Sequence, residues 1–424
     1  MKSYMEMTSE ELLAEKASLE KSYEDYKAMG LSLNMARGKP GADQLDVSMP
    51  MLDVLNSTSD CTDNGVDLRN YGILEGIPGV KKMFADILEV KPEEVFVGGN
   101  SSLNMMFDTI TTFMVKGIAG CEPWLKQGSV KFLCPVPGYD RHFGITEYYG
   151  IEMINIPTDE NGPDMDMVEK LVSEDESIKG IWCVPKYSNP TGITYSDDTV
   201  RRFAALKPKA KDFRIIWDNA YVIHDVTDTP DKLLGIMDEC RKNGNEDLPI
   251  IFASTSKITF PGAGVAVMAC SANNMKELCA RYTKQTIGYD KLNMLRHQLY
   301  LKDSAGLVAY MAKHKDLIAP KFKCVLDALN SKVKDTGCAS WTVPNGGYFI
   351  SVDVLEGTAK EVVRLCKEAG VVLTGAGATF PYGKDPKDSN IRIAPTYPSV
   401  DELAKAADIF CLCAKLAAVR KLLA

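Results

Sequence analysis

The sequence predicts an α/β fold: a mainly parallel central sheet between helices, with a smaller α+β domain. Between residues 71 and 300, short continuous apolar runs alternate with helical stretches. Such runs are typical of strands that are buried on both faces of a parallel sheet. After residue 300 a long helical region precedes shorter strand and helix segments, which indicates a second, α+β unit. The pattern therefore changes near residue 300.

The N-terminal segment predicts a helix that packs on a larger body. Thr8 and Glu11 have the spacing of a capping box, and Gly30 fits a C-terminal cap, so the helix should span 9–29. Residues 30–70 are polar and rich in turn formers. The central strands are then predicted at 95–99, 130–135, 150–157, 180–185, 213–218, 249–255 and 264–270.

The C-terminal part alternates differently. A helical region at 302–333 is followed by apolar segments and a further helix, and Ser399 and Glu402 mark the start of a final amphipathic helix over 399–423. Between the two long helices, apolar segments lie at 346–354, 370–377 and 391–395, and the further helix lies near 358–369.

Composition narrows the class of protein. With 45% apolar and 25% charged residues the chain is near the globular average, which excludes disordered, collagenous and coiled-coil proteins. A net charge of −8 without a basic stripe argues against a nucleic-acid binder. The N-terminus lacks an apolar signal region, and no long apolar run follows, so we expect no membrane insertion.

The 12 cysteines include no C-x-x-C pair and lie mostly in apolar runs, so we interpret them as small buried side chains. Cys411 and Cys413 are two residues apart on a predicted helix and do not share a face, so no metal site is expected there. Free thiols indicate a reducing, cytoplasmic location.

Polar motifs follow the predicted strand ends, where loops of a parallel sheet gather ligands. They include GGNSS at 98–102, SNPTG at 188–192, DNAY at 218–221 and STSK at 254–257, and a further arginine, Arg392, lies in RIAP. Taken singly, they read as helix caps, turns or an ordinary ion pair. Lys257 is the exception, because lysine is rarely buried without a partner or a task.

Taken together, the motifs resemble one family. Asn189, Asp218, Lys257 and Arg392 occur in the order typical of the aspartate aminotransferase superfamily, the class I/II pyridoxal-phosphate enzymes of fold type I. The resemblance extends from about residue 31 to residue 398. It implies a large domain over 51–299 and a small domain built from both chain ends, 1–50 and 300–424. The strings RGKPGADQLDVS, RNYGILEGIPG and SKITFPGAG are similar to a bacterial aspartate aminotransferase subgroup.

The resemblance implies catalytic roles. Lys257 would form a Schiff base with pyridoxal 5'-phosphate and then move a proton between substrate and cofactor. Asp218 would keep the pyridine nitrogen protonated. Asn189 and Tyr221 would hydrogen-bond the ring's phenolate oxygen, and Tyr139 would stack on the ring.

The resemblance also implies a phosphate site and a homodimer. The phosphate would be held by Ser254 and the helix start at Asn100, Ser101 and Ser102. Tyr71 would reach the phosphate in a neighbouring subunit, which implies composite active sites. Many relatives carry a phosphate-binding arginine about eight residues after the lysine, but ITFPGAGVAV contains no basic residue.

The implied reaction is transfer of an amino group, with aspartate as donor and 2-oxoglutarate as acceptor. Arg392 would bind the α-carboxylate, with Gly38 and Asn189 beside it. Arg37, Arg141 and, across a dimer, Arg296 are candidates for the distal carboxylate.

Other functions stay open at this stage. A carbon–sulfur β-lyase, or an aminotransferase for alanine or aromatic substrates, would use the same core residues. A cofactor-sensing domain of a transcription regulator would need a DNA-binding module of about 70 residues upstream, whereas about 30 residues precede the body.

Overall fold

A computed structural model describes residues 2–424 of the chain. Its centre is an eight-stranded sheet, and a three-stranded sheet lies in a second layer of helices. The predicted α/β class with a mainly parallel central sheet is confirmed.

The helices are α1 Ser9–Ala28, α2 Ala42–Ser48, α3 Pro78–Leu88, α4 Ser102–Lys116, α5 Asp140–Tyr148, α6 Met165–Glu174, α7 Asp197–Ala204, α8 Ile236–Lys242, α9 Ala272–Gln285, α10 Lys291–Leu301, α11 Ser304–Lys332, α12 Ala359–Glu368 and α13 Val400–Leu422. The strands are β1 Leu33–Asn34, β2 Thr62–Asp63, β3 Val66–Asp67, β4 Val95–Val97, β5 Lys131–Val136, β6 Glu152–Asp159, β7 Gly162–Pro163, β8 Ile178–Cys183, β9 Arg214–Asp218, β10 Pro249–Ser254, β11 Ala266–Cys270, β12 Ala339–Trp341, β13 Ile350–Val354, β14 Val371–Val372 and β15 Asn390–Ile393.

The central sheet has the strand order β4-β11-β10-β9-β8-β5-β6-β7. Strands β10, β9, β8, β5 and β6 pair in parallel, whereas β11 runs antiparallel to both of its neighbours, β10 and β4. Because β11 reverses direction, β4 points the same way as β10. The carboxyl ends of β4, β10, β9, β8 and β5 therefore meet at one edge of the sheet.

Alternating side chains cover the two faces of this sheet. In β9, Ile215 and Trp217 pack with helices α3, α6, α7 and α8, while Ile216 packs on the opposite face with α4, α5 and α9. Both faces are apolar, which explains why the strands appear as unbroken apolar runs. Asp218 follows Trp217, so its side chain lies on the α5 face.

A separate core joins the two ends of the chain. Helices α1, α11 and α13 pack with the β12-β13-β15 sheet, and β1 pairs with β14. The capping boxes predicted at Thr8 and Ser399 are present. Helix α11 begins against the central core at Leu307 and continues into the second core at Val325. The domain boundaries at 50 and 300 stay a prediction.

The cysteines have the environment predicted for them. Their thiols are unpaired in the described chain, and most are buried, Cys411 and Cys413 included. Residues 2–424 hold no cluster of side chains suited to a metal ion. None of the described helices has the length and apolar character needed to cross a membrane.

Buried histidines should make the protein sensitive to acid. Burial lowers the pKa of His297 and of His314 from 6.5 to about 4. The unfolded chain therefore binds more protons than the folded chain between these values, and stability present above pH 6.5 is lost as the pH falls toward 4. Each histidine contributes up to about 3 kcal/mol.

We expect the free energy of unfolding in urea to be lower at about pH 5 than at about pH 7. His314→Asn should reduce this difference, because asparagine does not titrate. An equal pH dependence in the variant would contradict the assignment.

Candidate active site

The loops at the carboxyl edge of the central sheet carry the predicted residues. Strand β10 ends at Ser254 and leads to Lys257, β9 ends at Asp218, β8 leads to Asn189, and β5 leads to Tyr139. Direct contacts join these loops. The Ser256 hydroxyl donates to the carbonyl oxygen of Asn100, at 3.3 Å, which links the β10 loop to the β4 loop.

Lys257 lies among aromatic rings at the centre of this edge. Its Nζ is 4.9 Å from the ring centre of Tyr221 and 6.0 Å from that of Tyr348. Burial lowers the pKa of the amine, and the charge of Asp218 acts in the opposite direction. A lysine in this environment has a larger fraction of neutral, nucleophilic amine near neutral pH than an exposed one.

Asp218 is buried and only half satisfied. Its Oδ2 lies 2.9 Å from Nε2 of His142, whereas Oδ1 is buried without a partner among residues 2–424. The His142 ring stacks on Trp182, with the ring centres 4.5 Å apart, so the imidazole is held on two sides. A buried carboxylate oxygen without a partner is costly, and it suits a ligand that brings a proton donor.

Tyrosine rings line the same space. Tyr139 precedes α5, and its ring meets the edge of His142 at 4.9 Å between centres. Burial, aided by the charge of Asp218, raises the pKa of Tyr139 to about 12, and burial also raises the pKa of Tyr221. Both phenols therefore keep their protons near neutral pH and can act as hydrogen-bond donors.

Hydroxyl groups and a helix start surround the β4–β10 edge. Ser101 caps α4, its hydroxyl accepting from the Asn104 amide, and Ser102 is the first helical residue. Ser254 donates to Ser256, at 3.0 Å between the oxygens. Helix starts and hydroxyls are a common setting for phosphate groups. Val265, eight residues after Lys257, is buried, and its amide donates to the Thr255 hydroxyl.

Arg392, on β15, brings the second core to this edge. Its guanidinium is buried, and Nη1 donates to Asp140 at 2.8 Å and to Asn189 at 3.1 Å. Its Nε has no partner in the described chain. The guanidinium carbon lies 4.8 Å from the ring centre of Phe349. The arginine is thus held in place with donors left to bind an anion.

Gly38 lies on the same side as Arg392. A Cβ built on Gly38 would come within 2.2 Å of the Phe349 ring, so only glycine fits without displacing that ring. Arg37, beside it, is exposed.

Three predicted residues remain: Arg141, Arg296 and Tyr71. Arg141, at the start of α5, is exposed. Arg296 on α10 donates to Asn293 at 2.5 Å, and its Nε is buried without a partner among the described residues. Tyr71 is 78% exposed.

Some residues of this edge were not predicted. His142 holds Asp218, Asp140 holds Arg392, and Tyr348 stacks on Tyr221 and donates to the Lys257 carbonyl oxygen at 3.2 Å. The position of His142, three residues after Tyr139 at a helix start, is the one signal that could have suggested it. Tyr348 follows a pair of glycines and carries no such signal.

Comparisons with known proteins identify the family of the chain. The family model described as aspartate amino-transferase matches residues 7–424. An aspartate aminotransferase from Corynebacterium glutamicum is 44% identical over 401 residues, 94% of this chain and 93% of its own. A Mycolicibacterium smegmatis protein described as an aminotransferase is 45% identical over 424 residues, 99% of both chains. The crystal structure of an aspartate transaminase from Corynebacterium glutamicum superposes with a TM-score of 0.96, at 43% identity, and covers 99% of both chains.

The chain therefore belongs to the aspartate aminotransferase family. It is an aminotransferase, as the motif order predicted.

Proposed function

We propose that this aminotransferase takes the amino group of aspartate and delivers it to 2-oxoglutarate, with pyridoxal 5'-phosphate held between Lys257 and Asp218. The observation that carries the proposal is the unpartnered Oδ1 of Asp218, which is buried beside a lysine of lowered pKa. The protonated ring nitrogen of the cofactor is a donor of the kind that this oxygen lacks. The residues therefore fit the group.

When bound, pyridoxal phosphate supplies an aldehyde that accepts an amine and a ring that withdraws electrons from it. Lys257 Nζ would hold the aldehyde at rest and would take and return the substrate's α-proton. Asp218 would keep the ring nitrogen protonated, with His142 fixing the orientation of the carboxylate. Asn189 and Tyr221 would hydrogen-bond the phenolate oxygen of the ring.

The phosphate would be bound by hydroxyl and amide groups in place of an arginine. These groups belong to Ser254, Asn100, Ser101 and Ser102. Tyr139 would cover the face of the ring. These roles follow from the position of each side chain at one sheet edge and from the resemblance of the motifs.

Arg392 would bind the α-carboxylate, with Gly38 and Asn189 beside it. The printed name of the Corynebacterium glutamicum relative supports aspartate as the donor. The distal carboxylate of aspartate needs a further cation. Arg37, directly before Gly38, and Arg141, two residues after Tyr139, are the candidates for it. Arg296 would serve only across a dimer.

A homodimer is part of the proposal. Tyr71 is 78% exposed, and apolar side chains near it are exposed too, such as Ile287 at 62%. The two segments adjoin, because a Cβ on Gly288 would lie 2.7 Å from the carbonyl oxygen of Gly72. A second copy covering this surface would bring Tyr71 to the neighbouring phosphate. The free thiols support a cytoplasmic location.

Product analysis tests the substrate assignment. The purified protein, loaded with cofactor, should convert aspartate and 2-oxoglutarate to oxaloacetate and glutamate. In single half-reactions, aspartate should bleach the visible band of the lysine-bound cofactor faster than alanine or aromatic amino acids do. Faster bleaching by one of those would contradict the proposal, and pyruvate and ammonia from cystathionine would favour a β-lyase.

A further inference from the structure

The Arg392 guanidinium is occupied on one edge and open on the other. Both hydrogens of Nη1 are used, one by Asp140 and one by Asn189. Nη2 reaches Thr374 only at 3.5 Å, and Nε is buried without a partner in residues 2–424. The open donors, on Nε and Nη2, share the edge that binds a carboxylate with two parallel hydrogen bonds.

Asp140 adds a negative charge to the same guanidinium. The arginine side chain is 8% exposed and that of Asp140 is 32% exposed, so solvent screens the carboxylate only in part. A substrate carboxylate on the open edge would share one positive charge with Asp140. Because like charges a few ångströms apart repel, the charge of Asp140 weakens the binding of the substrate carboxylate.

We propose that Asp140 is a positioning residue, which holds Nη1 so that Arg392 offers its Nε–Nη2 edge to the α-carboxylate and which weakens the binding of that carboxylate by its charge. The inference rests on the proposed function, since it assigns Arg392 to the α-carboxylate. Moderate affinity suits a transaminase, because each half-reaction must release a carboxylate product before the next substrate binds.

The replacement Asp140→Asn separates the two effects, because asparagine keeps an oxygen acceptor for Nη1 and removes the charge. In the cofactor-loaded protein, the dissociation constant of succinate, measured by calorimetry, should fall roughly 3- to 10-fold. KM for aspartate should fall with it, while kcat changes less. Asp140→Ala removes the acceptor as well and should bind succinate more weakly than Asp140→Asn.

Glu147→Gln is the matched control, because it removes one exposed carboxylate further along the same helix. It should leave the succinate constant unchanged. If Asp140→Asn binds succinate no more tightly than the unchanged protein does, the proposed effect of the Asp140 charge is wrong. If the asparagine and alanine variants bind succinate equally, the proposed positioning role of Asp140 is wrong.

The visible band of the lysine-bound cofactor separates a failure of the Asp140 inference from a failure of the proposed function. If the band forms and succinate binding does not tighten in Asp140→Asn, the inference fails and the proposed function stands. If no band forms in the unchanged protein, both fail.

Discussion

Replacing Lys257 by alanine should lower the rate of amino-group transfer by at least about 10⁴-fold, because the variant loses both the amine that holds the cofactor and the base that moves the proton. The amine lies within 4.9 Å of the Tyr221 ring centre, in an environment that lowers its pKa. The measurement is kcat for aspartate with 2-oxoglutarate, at saturating cofactor.

Two controls separate the amine from a general structural effect. Lys257→Arg keeps the positive charge but cannot supply a neutral amine, since guanidinium stays protonated, so it should be as inactive as the alanine variant. A small primary amine added to Lys257→Ala should restore part of the proton transfer. Activity within about tenfold of the unchanged protein in either variant, a smaller loss than removal of a general base causes, would contradict the assignment.

Replacing Arg392 by alanine should reduce kcat/KM for aspartate by roughly 30- to 5,000-fold, which corresponds to about 2–5 kcal/mol for a desolvated charge pair. The Nε of the buried guanidinium has no partner among the described residues, so a bound carboxylate would accept its hydrogen bond. Removal of the guanidinium therefore removes a direct contact with the substrate. Arg392→Lys should recover only part of the loss, because lysine lacks the planar pair of donors.

A substrate without a carboxylate provides the control for Arg392. The arginine also holds Asn189, at 3.1 Å, so a structural effect of the alanine variant would slow every amine substrate. We expect a simple primary amine to bleach the lysine-bound cofactor equally slowly in the unchanged protein and in Arg392→Ala. An equal loss for aspartate and for the amine would show that Arg392 acts on structure alone.

Much of the architecture was predictable because it depends on local patterns. The apolar runs at 180–185 and 213–218 correspond to β8 and β9, and their unbroken character follows from burial on both faces. Lys257 could be singled out because a lysine at the end of a buried strand is unusual, and Asp218 could be singled out through its place in the motif order. Their meeting at one edge then follows from the parallel direction of the strands.

Other features depend on contacts between distant segments. The antiparallel insertion of β11 between β4 and β10 is a matter of strand order, which the apolar run at 264–270 does not encode. Helix α2 was missed, since its polar residues resemble a turn-rich loop. The pairing of Asp140 with Arg392 joins residues 252 positions apart, so neither side chain alone points to the other.

Mapping the lysine that carries the cofactor is the most direct test of the account. Borohydride reduction of the cofactor-loaded protein should bleach the visible band and attach the pyridoxyl group permanently, and mass spectrometry of the digested protein then locates it. The label is expected on Lys257. A label on any other lysine would contradict the assignment of the active site.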